Sequence, residues 1–510
     1  MKSAPQCADR RARSNKNRAA SRKSGVALLG PCLALFWLAG CKAVGPNYNR
    51  PAYTAPAAYK ETGASTVTVP PPNPPGGQWQ AANPSDGMLK GKWWEIYQDP
   101  ELNKLEDQIV PANMTLRASL ENYLAARDQV AVVRAAFFPA LSAGGSMSRD
   151  RVSANRPLVV STSKTTYGDF QLGGQATWMP DFWGRIRRSV EQARANAQAS
   201  AADMATLDLS LHAELAQDYF ELRGLDSQSL LLTSTVADYE HELDLNQKLL
   251  KGGLTTDVTV AEALTQLETT RAQLVDINEA RAEYEHAIAT LINQEAGTVT
   301  LPPAPLDLAL PQIPLGVPSQ LIQRRPDIAA AERHVAAANA QIGIAVSAFY
   351  PNISLAGSGG FESTSAGTWF QGPSSLWSLG AQASELLFDA GQRHALTDQA
   401  RHEYEAQADT YRATVLSAFN DVEDKLSDLR VLEQESVVEH RAVAAAQHSL
   451  DLSNQRFKGG ATSYLEVLTA ESTLLTNQRT ETDLQTRQFA SSVQLILALG
   501  GGWDVTQLPK

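Results

Sequence analysis

The chain is built twice. Ala136-Phe137-Phe138-Pro139-Ala140-Leu141-Ser142 is answered 212 positions later by Ala348-Phe349-Tyr350-Pro351-Asn352-Ile353-Ser354. Phe182-Trp183-Gly184-Arg185 has its counterpart 207 positions on in Asp389-Ala390-Gly391-Gln392. Lys251-Gly252-Gly253-Leu254-Thr255 has its own in Lys458-Gly459-Gly460-Ala461-Thr462, again 207 positions on. Three matches in one order, with a single five-residue length difference, define a tandem duplication. The Pro-rich stretch Leu301–Pro318 joins the halves.

Each half opens with two alternating segments. Leu141, Ala143, Gly145 and Met147 alternate with Ser142, Gly144, Ser146 and Ser148; Phe170, Leu172, Gly174, Ala176 and Trp178 alternate with Gln171, Gly173, Gln175 and Thr177. The second half repeats this at Ile353–Ser358 and Trp377–Ser384. Period two predicts strands with one apolar face and one face of small polar residues, about as long as a tilted membrane-spanning strand. A long helical pattern follows from Gly184 to Leu250, with Met204, Leu207, Leu211, Leu215, Tyr219 and Leu222 three or four apart. Such a helix reaches roughly 100 Å at the α-helical rise, far beyond an ordinary globular helix. Gly252-Gly253 supplies its stop, and Leu264, Leu267, Leu274, Ile277, Tyr284, Ile288 and Leu291 mark a return helix. Gly391 to Phe457 and Thr462 to Leu499 do the same in the second half. Ahead of the first strands, Trp93 to Arg134 also reads as helix, broken at Pro111.

The start of the chain is different in kind. Eight of the 44 basic residues fall within the first 24 positions, followed by the apolar run Val26–Trp37 and then Leu38-Ala39-Gly40-Cys41. A basic segment, a short apolar core and small residues make an export signal, residues 1–40. Its removal takes Cys7 and Cys32, so Cys41 is the one cysteine left, and no disulfide framework or thiol chemistry can be built. Leu-Ala-Gly-Cys resembles the lipobox of bacterial lipoproteins, in which the cysteine is acylated. Lys42 in place of Asp then points to the outer membrane, and multiple acyl chains give stable anchoring. Residues 41–90 form a lipidated start and a tether centred on Pro70–Gly77. The domain order expected is a first repeat over 91–300, the linker 301–318, a second repeat over 319–503 and a tail, 504–510.

Four strands cannot close a barrel, yet in a bilayer every strand edge must be paired. Three copies would supply twelve strands, with Ser, Gly and Gln lining a watery lumen and Phe170, Trp178 and Trp377 meeting lipid. A soluble sandwich carrying a long helical hairpin is the other fold these patterns allow.

Taken together, the residues resemble the trimeric outer-membrane factors of Gram-negative tripartite efflux pumps, in their lipoprotein, NodT-like branch. The resemblance rests on Cys41–Tyr48, on Lys92-Trp93-Trp94 with Asp99-Pro100-Glu101-Leu102, on Arg324-Arg325-Pro326-Asp327-Ile328 with Ala331-Glu332, and on Ala498-Leu499-Gly500-Gly501-Gly502-Trp503. It implies an α+β membrane protein: a trimeric twelve-stranded β-barrel, four strands per chain, continued by a long α-helical periplasmic tunnel and girdled by a belt from the chain ends and linker. The function implied is a passive exit duct, lipid-anchored in the outer membrane, serving a periplasmic adaptor and an inner-membrane RND-type pump. Adaptor-contacting tips would be Lys251, Gly252, Gly253, Leu254 and Thr255, and Lys458, Gly459, Gly460, Ala461, Thr462 and Ser463. Glu466 falls at the position whose carboxylates form a constricting ring. Thr469 and Thr259 stand where relatives often carry further acids, so the gate has one acidic ring or is held differently. Arg324-Arg325-Pro326-Asp327 reads as structural, with Pro at helix N1 and Asp in the first turn.

Other functions are disfavoured by what is missing. With 44 basic against 55 acidic residues the net charge is −11, against a nucleic-acid binder. The eight histidines show no metal-ligand spacing, no cofactor motif occurs, and Ser161-Thr162-Ser163-Lys164 is a bare Ser-x-x-Lys without a supporting motif. No P-loop, HExxH or GxSxG is present, so neither an ATPase nor a hydrolase is expected. A lipoprotein scaffold without a pore, and the outer-membrane duct of a type I protein secretion system, are the alternatives.

Overall fold

The computed structural model describes residues 42–56, 58–61, 91–153, 165–315 and 318–509. The expected leader, Cys41, the Pro70–Gly77 stretch and Ser161–Lys164 lie outside the described residues.

Asp99 starts the first helix, α1 (Pro100–Ala112). Its carboxylate accepts the free N–H groups of Glu101 and Leu102, and Pro100 occupies the first turn, where no donor is needed. Pro111 does not break this helix. It lies one residue from the end, and the chain leaves helical geometry at Asn113 instead. Asn113 then caps α2 (Met114–Ala135) through Leu116 N–H, while its amide donates to the Leu291 carbonyl at 2.9 Å.

Two strands follow, β1 (Ala140–Arg151) and β2 (Thr166–Trp178), then α3 (Arg185–Lys251) and α4 (Asp257–Leu291). The linker leads through α5 (Pro318–Arg324) to α6 (Pro326–Ser347) and the second set: β3 (Asn352–Ser363), β4 (Ser375–Ser384), α7 (Gln392–Lys458) and α8 (Tyr464–Ala498). The duplication holds in the long helices, 67 residues in both α3 and α7 and 35 in both α4 and α8. Arg325-Pro326-Asp327 opens α6 as expected, Pro326 in the first turn. Arg325 pairs with Asp327 at 2.7 Å and reaches Asp421 of α7 at 3.0 Å.

The four strands form one antiparallel sheet in the order β1-β2-β3-β4, so the two repeats meet along β2 and β3. Directly opposed residues share a face: Gly145 opposes Leu172 and Met147 opposes Phe170 on the apolar side, Ser358 opposes Ser378 on the polar side with 2.8 Å between hydroxyls. β1 and β4 are edges within the chain.

Where sheet becomes helix, the repeated motifs touch. Trp183 of the first repeat donates its indole N–H to the Pro351 carbonyl of the second at 2.8 Å and stacks on Tyr350 at 4.9 Å. Asp181 accepts from Ile186 and Arg187 at the head of α3; Asp389 accepts from Arg393 at the head of α7.

The largest core lies midway along the helices. Trp93, Trp94, Tyr97, Leu102 and Ile109 pack on Leu215, Tyr219, Phe220 and Leu222 of α3, on Phe489, Val493 and Ile496 of α8, and on Leu301 and Leu306 of the linker. A second cluster joins Tyr59, Leu321 and Ile328 to Tyr411, Val415, Phe419 and Val422 of α7. Inside the first core, Glu106 and His212 meet at 2.5 Å. Burial pushes the imidazole down to about 4 and the carboxyl well above the ordinary glutamate range, and the ring stacks on Trp94 at 4.3 Å. No helix among the described residues is long and apolar enough to cross a membrane.

Candidate functional site

The ends of the helical hairpins are the most regular feature of the molecule. Beyond Lys251 and Lys458 the chain makes the same turn twice. Gly253 and Gly460 both take φ +69°, a left-handed conformation that only glycine adopts without cost. The Leu254 N–H then reaches the Leu249 carbonyl at 2.9 Å and the Gly253 N–H the Leu250 carbonyl at 3.0 Å. In the second repeat Ala461 reaches Arg456 at 2.8 Å and Gly460 reaches Phe457 at 2.9 Å. These paired bonds satisfy the last carbonyls of each long helix and reverse the chain in a few residues.

The turns are alike in backbone and unlike in surface. The first presents Leu254 and Val258, both exposed, beyond Lys251. The second presents Glu466 in the first turn of α8. Its carboxylate is held from two sides, by the Arg456 guanidinium at 2.5 Å and by the Thr462 hydroxyl. The expected gate threonines are engaged locally. Thr469 donates to the Leu465 carbonyl at 2.7 Å, and Thr259 lies 3.3 Å from the Thr256 hydroxyl. Arg456, which cancels the charge of Glu466 within one chain, carries no role in the sequence reading. Its contact spans ten residues and exists only because the glycine turn folds α7 back onto α8.

Above the second tip the two hairpins are joined. The Tyr464 hydroxyl donates to Glu242 of α3 at 3.0 Å, and its ring packs against Phe457. Seven residues on, Glu471 is buried beside Glu242 and Asp238. Burial first, then the hydrogen bond and charge of Glu242, raise this carboxyl far above the ordinary glutamate range, and it holds its proton at neutral pH. Burial likewise pushes Tyr239 up to about 12, and Gln266 of α4 donates to its hydroxyl at 3.3 Å. Arg479 of α8 donates to Gln273 of α4 at 3.1 Å. The signal for Glu471 was present in the sequence: it shares the apolar stripe of Val467, Ala470, Leu474 and Leu475, where a carboxyl must be neutralised or paired.

Among the described residues no cluster of three or more His, Cys, Asp or Glu is placed to hold a metal. What the geometry offers is mechanical: two helical hairpins, capped alike and coupled by a few polar contacts close to their ends.

The comparisons agree with this architecture. The profile described as "Outer membrane efflux protein" matches residues 107–294 and 317–501, one stretch in each repeat. TtgC of Pseudomonas putida, a probable efflux pump outer membrane protein, is 30% identical over 477 residues, 93% of this chain and 96% of its own. CusC of Escherichia coli, a cation efflux system protein, is 28% identical over 94% of this chain and 99% of its own. Among solved structures, the open state of the MtrE outer membrane channel of Neisseria gonorrhoeae superposes with a TM-score of 0.77 at 26% identity, covering 91% of this chain and 99% of that one. With both repeats matched by one profile and nearly full-length relatives on either side, the chain belongs to the outer membrane efflux protein family.

Proposed function

We propose that this chain is the outer-membrane exit duct of a tripartite efflux pump, passing substrates from a periplasmic adaptor and an inner-membrane RND-type pump to the outside. It acts as a conduit, not an enzyme. The observation that carries this is a four-stranded sheet with opposite faces of opposite polarity and both edges open. Three copies, each joining β1 to the next copy's β4, close twelve strands and leave no edge in the bilayer. The Ser, Gly and Gln face then lines water, and the long helices continue the lumen into the periplasm.

In this reading the tips Lys251–Thr255 and Lys458–Ser463 meet the adaptor, and Glu466, flanked by Thr469 and Thr259, forms the constriction. Cys41 is the acylated residue. Its neighbours support that: Val44 N–H donates to the Trp183 carbonyl at 3.0 Å, holding the chain at the level where sheet gives way to helix. A lipid on Cys41 would enter the inner leaflet from there.

The test combines two measurements. Purified protein is reconstituted in planar bilayers, and Thr255→Cys and Ala461→Cys are used for crosslinking in cells, with mass spectrometry of the captured chains. Conductance together with capture of an adaptor and its pump at both tips is the expected result. A trimer in the outer membrane that neither conducts nor captures an adaptor would overturn the duct in favour of a scaffold. The mass of the mature N-terminal peptide reports acylation of Cys41.

A further inference from the structure

Charge is divided between the two faces of the sheet at the end away from the helices. Asp150 opposes Tyr167, Asp169 opposes Ser148 and Glu362 opposes Gln171, all on the polar face. Arg149 opposes Gly168 and Arg151 opposes Thr166, on the face of Leu141, Met147, Phe170 and Leu172. Both arginines are exposed. No acid on their own face offsets them, and the connecting residues 152–165 and 364–374 contain no Asp or Glu. The two acids of β1 and β2 are held on the far side, Asp150 by the Ser148 hydroxyl at 2.5 Å and Asp169 by the Gln171 amide at 2.9 Å.

The height of the arginines is fixed by their neighbours. Phe170, Phe361, Trp369 and Phe370 form a continuous aromatic group at this end, with successive ring centroids 5.5, 4.8 and 5.7 Å apart through Phe170–Trp369–Phe370–Phe361. Aromatic girdles mark the water interface of a membrane barrel. Arg149 lies one same-face position beyond Met147, which is paired with Phe170, and Arg151 one further, steps of about 7 Å along the strand. They therefore stand just outside the apolar band, at headgroup depth and on the extracellular side.

We propose that Arg149 and Arg151 form a lipid-binding rim that grips the phosphate groups of the outer-leaflet glycolipid, lipid A. Guanidinium pairs with phosphate in a two-pronged geometry. Two of them on adjacent same-face positions match a headgroup bearing two phosphates better than a single phosphodiester. The proposal rests on the reading of the apolar face as the lipid face. It gives the family's barrel a second, purely lateral interaction, independent of cargo and of the periplasmic tips.

The experiment uses full-length protein in nanodiscs, with bisphosphorylated lipid A, enzymatically dephosphorylated lipid A and phosphatidylglycerol as probes, and native mass spectrometry to count retained lipid. Wild-type protein is expected to retain bisphosphorylated lipid A about tenfold better than the other two probes. The double variant Arg149→Gln/Arg151→Gln should lose that preference, and Arg149→Lys/Arg151→Lys should restore part of it. Equal retention of phosphorylated and dephosphorylated lipid A by wild-type protein overturns the proposal without any variant. Equal retention of phosphatidylglycerol overturns the assignment to the glycolipid. Bilayer conductance of the same samples separates the two levels: a conducting channel indifferent to lipid A refutes the rim alone, and a protein that does not insert refutes the duct as well.

Discussion

The hydroxyl of Tyr464 donates to the carboxylate of Glu242 across 3.0 Å, and with this bond the second helical hairpin is fastened to the first just above its tip. Tyr464 is nearly buried, and its ring is packed whether or not the hydroxyl is present. Tyr464→Phe should therefore keep the fold and lose only the fastening, at a cost of about 1–2 kcal/mol. The expected outcome is an unchanged trimer with a higher open fraction in single-channel recordings. An unchanged open fraction would show that the contact does not restrain the tips.

Glu471 makes the same junction pH-dependent. Its native pKa is raised by burial beside Glu242, above the value of 4.5 that a released carboxyl would have. Above that pH the released state has lost a proton that the closed state keeps, so closure binds protons and weakens as pH rises. The contribution is complete below pH 4.5 and declines towards the native pKa. Channel opening should rise as pH climbs from about 4.5 to about 9 in wild-type protein and be flat in Glu471→Gln. A wild-type profile in which opening increases as pH falls contradicts the assignment.

Arg456 and Glu466 are both substantially exposed, so their pair adds at most about 1 kcal/mol to stability. Its effect is on charge. Arg456→Ala should leave melting unchanged and expose three unpaired carboxylates in the proposed assembly, making the conductance more sensitive to block by multivalent cations. Glu466→Gln should reduce that block. Equal block in both variants would remove Glu466 from the constriction.

Gly224 tests the packing between the repeats. A Cβ at this position would lie 2.2 Å from the Thr486 hydroxyl oxygen, where α3 crosses α8. Gly224→Ala should destabilise by roughly 1–3 kcal/mol through overpacking. Adding Thr486→Ala should recover most of it, a coupling that a double-mutant cycle in thermal unfolding would read directly.

Much of this structure was legible because the sequence states it twice. The long helix expected over Gly184 to Leu250 runs from Arg185 to Lys251, since an uninterrupted 3.6 period and a Gly-Gly stop leave little freedom. Strand ends were less visible. β1 continues through Arg149-Asp150-Arg151 and β3 through Gly360 to Ser363, residues whose types suggest a loop but whose backbones still pair. The break expected at Pro111 falls two residues later, at Asn113, where the chain turns extended and the Asn113 side chain caps the next helix. The tips were found from their glycines. What holds them was not: Arg456 with Glu466 depends on the turn geometry, and Tyr464 with Glu242 joins residues 222 apart.

The matched lengths of the paired helices act as a ruler. With 67 and 35 residues in each repeat, both tips end the same number of turns from the sheet. Deleting one residue from α3 alone would shorten it by about 1.5 Å and swing everything beyond the cut by about 100°, turning Glu242 away from Tyr464. Length variation in this molecule is consequently confined to where nothing is being measured. The five residues by which the repeats differ fall between Pro139 and Gly184, in the hairpin of the sheet, and the helices have none.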